Sequence, residues 1–250
     1  MGVIHRDVAA EGQRLIARAS ADGVPLRLLG GVAIGLRAPG ELAPAFRRAY
    51  ADLDFVAAKK AGGATTALFR AEGYESQVAF NALHGGERLL FFDNENDRQV
   101  DVFVGAFSMC HRIPLDGRIE VDPVSIPLAE LLLTKLQVVQ LNEKDVRDAL
   151  ALLHDHPVGE GDGETVNASR VAELCAADWG LWRTITQNLN ACRGFADTYD
   201  VPDRPRLDER LAALLGRIDE EPKSRGWRMR AKLGDRKRWY DLPEEVAGGP

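Results

Sequence analysis

Three short stretches carry residues whose types and spacing suit phosphate and metal chemistry. In Asp52-Leu53-Asp54-Phe55, the alternation of an extended chain puts both carboxylates on one face and Leu53 and Phe55 on the other. Two carboxylates 4 Å apart repel by roughly 4 kcal/mol at an effective dielectric near 20. A divalent cation relieves that repulsion; the solvated outer face of an edge strand is the plainer alternative. In Leu29-Gly30-Gly31, glycines at a strand-to-helix turn let the backbone approach a ligand, and the N–H groups of the helix start face an anion such as phosphate. A simple tight turn accounts for the same pair. Val100-Asp101-Val102 sets a carboxylate in an apolar run that continues through Phe103 and Val104. Asp is disfavoured inside strands, and a buried charge without a partner is expensive. A metal ligand, an ion pair or a solvent-facing place on a one-sided sheet each accounts for Asp101.

The elements needed to hold these residues are legible in the hydrophobic pattern. Residues 5–20 read as an amphipathic helix, 26–29 as a short strand and 32–37 as the helical turn after the glycines. Pro39-Gly40 breaks that turn, and 41–50 read as loop or a further turn. Strands follow at 52–56, 74–80, 88–92 and 99–104, with a helix at 65–71 and a polar turn at 93–97 that makes the last two strands a hairpin. After residue 125 the period becomes helical, with helices at 127–141, 142–154, 168–176, 179–192, 207–218 and 225–233 and a Gly- and acid-rich loop at 157–163. The expected organisation is α+β: a mixed sheet with flanking helices in residues 1–125, then an all-helical domain in 126–250 that ends in a basic segment.

That second half holds further candidates. On the helix from 127, Leu128, Leu131, Leu132, Lys135 and Val139 share a face, so Lys135 points into an apolar stripe. Its ammonium either snorkels to solvent or reaches across to phosphate. Asn142 suits an N-cap with Asp145 three residues on, and Lys144 and Asp148 suit a surface pair; a site role for Asp145 and Asp148 is the alternative. Residues 222–240 hold eight basic residues against Asp235 alone, a local charge of +7 in a chain of net charge -6. Trp227, Trp239 and Tyr240 stand among those cations. The segment suits phosphate contacts with base stacking, or a Trp-anchored helix that neutralises an acidic body. His154-Asp155-His156 reads as a helix end where His is favourable, and Met109-Cys110-His111 as neighbours that do not address one substrate.

Composition bounds the setting. Of the 250 residues, 45% are hydrophobic and 28% charged, which is ordinary for a globular chain and not a disordered one. No apolar run reaches the roughly 18 to 20 residues of a membrane helix. Glu11, Arg14 and Arg18 interrupt any secretory pattern, and Cys110, Cys175 and Cys192 form neither a disulfide framework nor a zinc motif. A cytoplasmic protein with no membrane association is expected.

Taken in order, apolar-Gly-Gly, Asp-apolar-Asp-apolar and apolar-Asp-apolar resemble the nucleotidyltransferase superfamily of DNA polymerase β, over residues 26–104. The helix between Gly31 and Asp52 is similar to the branch of the AbiEii-type abortive-infection toxins and the aminoglycoside nucleotidyltransferases. Lys135 and the segment 142–148 resemble the toxin branch more loosely. The resemblance implies a nucleotidyltransferase-type fold and the transfer of a nucleoside monophosphate from an NTP to an acceptor. It implies two Mg²⁺ ions, or Mn²⁺, on Asp52 and Asp54, with Asp101 as third ligand or general base. It also implies phosphate contacts from Gly30, Gly31, Lys135, Lys144 and Asp145, and a toxin-like enzyme acting on tRNA or other RNA, with a cognate antitoxin as possible partner. A small-molecule nucleotidyltransferase, acting on an antibiotic or metabolite, and a non-catalytic nucleotide-binding protein are the competing readings.

Overall fold

Residues 3–242 are described by a computed structural model. Helix α1 (Val8–Ala21) is capped by Asp7, whose carboxylate accepts from the Ala10 N–H, and it buries Leu15, Ile16 and Ala19. It packs on a five-stranded mixed sheet made of β1 (Leu26–Leu29), β2 (Leu53–Ala57), β3 (Glu75–Ser76), β4 (Arg88–Asp93) and β5 (Arg98–Val104). The spatial order is β1-β2-β5-β4-β3, with β2 and β5 parallel and every other pair antiparallel. Central strands are covered on both faces, which is why β2 and β5 read as nearly unbroken apolar runs. Helix α2 (Gly30–Arg37) leaves β1 directly, and α3 (Gly62–Ala71) and α4 (Val78–His84) flank the far strands. Phe69 of α3 stacks on Phe91 with ring centroids 4.6 Å apart and meets Phe55 edge-on.

The short hairpin β6 (Ala106–Ser108) and β7 (Arg112–Pro114) leads out of the sheet. The chain then returns along the outer edge of β1. There the Leu28 N–H donates to the Val124 carbonyl, and the Ile126 N–H donates to the Leu28 carbonyl. Helices α5 (Leu128–Leu136) and α6 (Glu143–Asp155) follow, then the two-residue parallel strands β8 (Val158–Gly159) and β9 (Val166–Asn167). Helices α7 (Ala168–Ala177), α8 (Trp179–Phe195), α9 (Arg204–Glu220) and α10 (Arg225–Leu233) complete an α+β architecture. One hydrophobic cluster runs from Leu15 to Ile218, so apolar packing is continuous across residue 125.

Three elements differ from the sequence expectation, the first two for identifiable reasons. Only Glu75 and Ser76 of the expected strand 74–80 pair with β4; from Val78 on the chain is α4. Asn81 decides this, because its side chain accepts from the Leu90 N–H and donates to the Leu90 carbonyl, docking a helical turn on β4. The helix expected to reach 141 stops at Leu136. The Asn188 amide of α8 donates to the carbonyls of Leu136 and Val138, taking acceptors that a continuing helix needs. The loop expected at 157–163 contributes Val158 and Gly159 to the short pairing with β9.

Candidate functional site

The end of β1 and the start of β2 build the floor of the site. Leu53 and Phe55 are fully buried, so the intervening Asp54 is turned to the opposite face. Register sets Asp54 between Leu29 on β1 and Asp101 on β5. Gly30 has φ +72, and a Cβ there would lie 2.1 Å from Asp54 Oδ2. Gly31 is equally constrained: its Cβ would lie 2.1 Å from Arg48 Nη2 and 2.6 Å from the Tyr50 ring. The two glycines therefore let Asp54, Arg48 and Tyr50 lie directly on the first turn of α2.

A cleft of about 500 Å³ opens above this floor. Asp52, Asp54, Gly31, Lys135, Lys144 and Asp145 all line it, joined by Arg48 and Tyr50. Lys135 does not snorkel to open solvent. At the end of α5 its ammonium lies 2.9 Å from Asp148 Oδ2 and 3.4 Å from Asp145 Oδ1. Asn142 caps α6, accepting from the Asp145 N–H and donating to the Asp145 carboxylate at 2.6 Å. Asp148 is 2% exposed and paired with Arg48 and Lys135, so the expected surface pair with Lys144 does not form. Arg48 grips Asp148 with two hydrogen bonds, at 2.8 and 2.6 Å, and lies over the Tyr50 ring.

Asp101 is set behind this cleft. It accepts from Arg88 Nε at 2.7 Å and from Gln99 Nε2 at 2.7 Å. It borders neither the 500 Å³ cleft nor a smaller cavity of about 280 Å³ beyond Asp54. The position expected of a third metal ligand or general base is thus that of a carboxylate held by its own partners. Gly30 borders the smaller cavity, and Lys144 continues from the main cleft into an open groove of about 710 Å³ that also carries Arg47, Arg48 and Arg147.

Electrostatics separate the floor from its surroundings. Burial, reinforced by Asp101, pushes the Asp54 carboxyl up to about 7, with Lys135 opposing. Desolvation and Asp101 also raise Asp52, against Lys144 and Arg48. Burial raises Asp145 despite Lys135. Burial works against the Lys135 ammonium, but Asp148, Asp145 and Asp54 outweigh it and hold the charge above its ordinary range. Among the described residues no group of three or more His, Cys, Asp or Glu is placed to hold a metal ion. Magnesium asks less than that: it is commonly held by one or two carboxylates together with substrate phosphates and water. Asp52 and Asp54, hard oxygen donors on one cleft whose charges are poorly offset, fit that mode; Asp101 in its present contacts does not add to it.

Sequence reasoning missed Arg48 and Tyr50. They belong to an unbroken stretch, 48–52, that lines the cleft together with Ala49 and Ala51, and no periodicity in the sequence marks it. The basic C-terminal segment resolves differently from its stacking reading. Trp227 Nε1 donates to the Cys175 carbonyl and Trp239 Nε1 to Thr184 Oγ1, while both rings pack against the Trp179–Trp182 pair of α8. The Trp rings anchor the segment, and its exposed surface is cationic: Arg225, Arg228, Lys232, Arg236, Lys237 and Arg238. His154 pairs with Asp155 at 2.7 Å, and His111 Nε2 hydrogen-bonds Thr184 Oγ1 at 2.9 Å. Cys110, Cys175 and Cys192 are free and buried. Among the described residues no helix is long and apolar enough to cross a membrane. No protein-family model matches the chain, and no curated protein matches it.

Proposed function

We propose that the chain is a nucleotidyltransferase that moves a nucleoside monophosphate from an NTP to an acceptor hydroxyl and releases pyrophosphate. One observation carries the reading: residues from 31 to 145 converge on a single cleft as a carboxylate pair facing three cations and the first turn of a helix. Arg48, Lys135 and Lys144 bind and orient the triphosphate oxygens, with the α2 N-terminus adding its dipole. Asp52 and Asp54 would hold Mg²⁺ or Mn²⁺, which would neutralise phosphate charge and lower the pKa of the attacking hydroxyl. Asp148 and Asp145 fix the cations: Asp148 orients both Arg48 and Lys135, and Asp145 holds Lys135 from the other side. Asp101, itself held by Arg88 and Gln99, adds the neighbouring charge that raises Asp54 and strengthens its demand for a cation. The hydroxyl gives up its proton to solvent as its oxygen attacks the α-phosphorus, the bond from that phosphorus to the oxygen bridging the β-phosphate breaks, and Lys135 and Arg48 stabilise the charge that moves onto pyrophosphate.

The groove that leaves the cleft at Lys144 also carries Glu143, which pairs with Arg147, and RNA is the acceptor we propose chiefly from the exposed cations of the C-terminal segment. Incubation with each labelled NTP, Mg²⁺ and total tRNA is the test. Label on RNA supports the reading. Label only on added small hydroxyl compounds makes the enzyme a small-molecule transferase. NTP binding without transfer to either overturns the catalytic assignment.

A further inference from the structure

Tyr50 lines the main cleft, and the proposed reaction gives it no task. Its ring lies along α2. A Cβ on Gly31 would be 2.6 Å from Tyr50 Cε1, and a Cβ on Gly35, one turn on, would be 3.3 Å from the hydroxyl oxygen. The Arg48 guanidinium lies over the same ring, 4.5 Å from its centroid, while its Nε and Nη2 donate to Asp148 of α6. Helix, ring, cation and carboxylate are thus packed in one run between α2 and α6.

The ring has a clear place in this packing; the hydroxyl does not. It is buried and has no hydrogen-bond partner. A buried donor left unpaired costs stability, and phenylalanine would fill the same space without that cost. Burial, and after it Asp148, push the ionisation of the phenol above its ordinary range, against Arg48 and Lys135. The group therefore stands beside the Arg48–Asp148 pair as an O–H donor that lacks an acceptor.

Asp148 is the carboxylate whose donors a ligand would disturb. It is buried, and its ion-pair partners are Arg48 and Lys135. Both cations line the cleft, so a triphosphate bound there competes with Asp148 for both. A buried carboxylate that loses a cationic partner is strongly destabilised, and a replacement donor offsets that penalty.

Resting on the nucleotidyl-transfer reading, we infer that Tyr50 is a positioning residue whose hydroxyl donates to Asp148 when a bound triphosphate draws on Arg48 and Lys135. The carboxylate that orients both cations then stays satisfied while they engage phosphate. The hydroxyl is idle in the empty site and bonded in the loaded one. A hydrogen bond to a charged group is worth roughly 10- to 100-fold in an equilibrium constant.

Tyr50→Phe keeps the ring and removes only the hydroxyl. In calorimetric titrations of the full chain with tripolyphosphate and Mg²⁺, this variant is expected to bind at least about tenfold more weakly than the wild type, while its ligand-free melt is unchanged or higher. Asp148→Asn removes the charge that needs the donor, so Tyr50→Phe is expected to change affinity by less than about twofold in that background. A near-ultraviolet difference spectrum reads the bond directly: tripolyphosphate is expected to red-shift a tyrosine band in the wild type, and the shift is expected to be absent from Tyr50→Phe. Wild-type affinity in Tyr50→Phe overturns the inference and leaves the nucleotidyl-transfer reading standing. A ligand-free melt that falls along with affinity, an equal loss of affinity in the Asp148→Asn background, or the same spectral shift in Tyr50→Phe as in the wild type each does so too. If the wild type binds no tripolyphosphate, the nucleotidyl-transfer reading fails and this inference with it.

Discussion

Gly30→Ala, read against Gly23→Ala, measures how tightly Asp54 is seated. The two glycines have nearly the same backbone, with φ +72 and +69, but a methyl at 23 meets nothing within 4 Å. Gly23→Ala therefore reports backbone strain alone, about 1–2 kcal/mol for an L-residue in the left-handed region. At Gly30 the same methyl would lie 2.1 Å from Asp54 Oδ2, 3.0 Å from its Cγ and 3.1 Å from its Cβ. Rotating the carboxyl relieves only the first of these contacts, so the whole side chain or the β1–β2 pairing has to shift. Overpacking of that kind costs a further 1–3 kcal/mol or so. In a chain of this size 1 kcal/mol moves Tm by about 2–4 °C. Gly23→Ala is thus expected to lose a few degrees and Gly30→Ala on the order of 10 °C. In an Asp54→Ala background most of the extra loss at Gly30 is expected to disappear, because Oδ2 and Cγ are gone and only the Cβ contact at 3.1 Å remains. Transfer activity follows the same split: about 100-fold lower for Gly30→Ala, since a 1 Å misplacement carries that penalty, and unchanged for Gly23→Ala. Calorimetric melts and a labelled-NTP assay measure both. Equal melting shifts for the two alanine variants, or no rescue by Asp54→Ala, would refute the packing of Asp54 on Gly30.

Three further outcomes are expected. Asp54 titrates at about 7 in the folded chain against an ordinary 3.8, so the folded state holds a proton that the unfolded state has released, and metal-free stability falls as pH rises through that window. Asp54→Asn in chelator is then expected to be more stable than wild type by about 4 kcal/mol above pH 8 and equal to it near pH 4, while losing transfer; a wild-type Tm flat across the window refutes this. Lys135→Met leaves Asp148 with Arg48 alone and is expected to lose about 2 kcal/mol and nearly all transfer, and adding Asp148→Asn is expected to restore the melt but not the activity. Recovery of both in the double variant makes Lys135 structural. Reversing Arg236, Lys237 and Arg238 to Glu is expected to weaken tRNA binding and flatten its salt slope by about 0.7 per lost contact, with NTP binding unchanged; no tRNA binding by the wild type at low salt removes RNA as the acceptor.

What could be read from the sequence followed the range of the interactions. The β1–glycine–α2 turn, the alternation around Asp54 and the buried run around Asp101 are local patterns, and each lies where its pattern put it. The Asn142 cap was equally local. Apart from the turn at Asn81, which docks on Leu90 only nine residues on, the errors came from distant partners. Asn188 ends α5 from 52 residues away, and Arg48 claims Asp148 from 100 residues away. Helical spacing near Asp148 offered Lys144 as its partner, because a sequence displays neighbours four apart and hides those across the fold. The Trp residues of the basic segment show the same limit: their spacing among cations was visible, whereas the α8 rings that hold them are some 50 residues earlier.

The distribution of ion pairs around the cleft bears on what the carboxylate pair is for. Arg48 is joined to Asp148, Lys135 to Asp148 and Asp145, and Arg88 to Asp101. Each of these pairs turns a desolvated charge into a satisfied one, as a stable fold requires. Asp54 departs from the rule. It touches the same surroundings, yet its neighbours Asp101 and Asp52 push its pKa in the same direction as burial, and Lys135 and Arg88 only partly oppose them. For architecture alone, an asparagine here would fill nearly the same volume without the charge penalty, and the fold would be more stable above neutral pH. A carboxylate at this position, beside a second one on the same cleft, makes physical sense when the missing positive charge arrives with a ligand. A divalent cation carried by a triphosphate supplies that charge, and the phosphates bring enough negative charge to meet Arg48, Lys135 and Lys144 at the same time. On the proposed nucleotidyl-transfer reading the site comes closest to electrostatic balance when loaded, and the expected fall of metal-free stability with pH is the trace to measure.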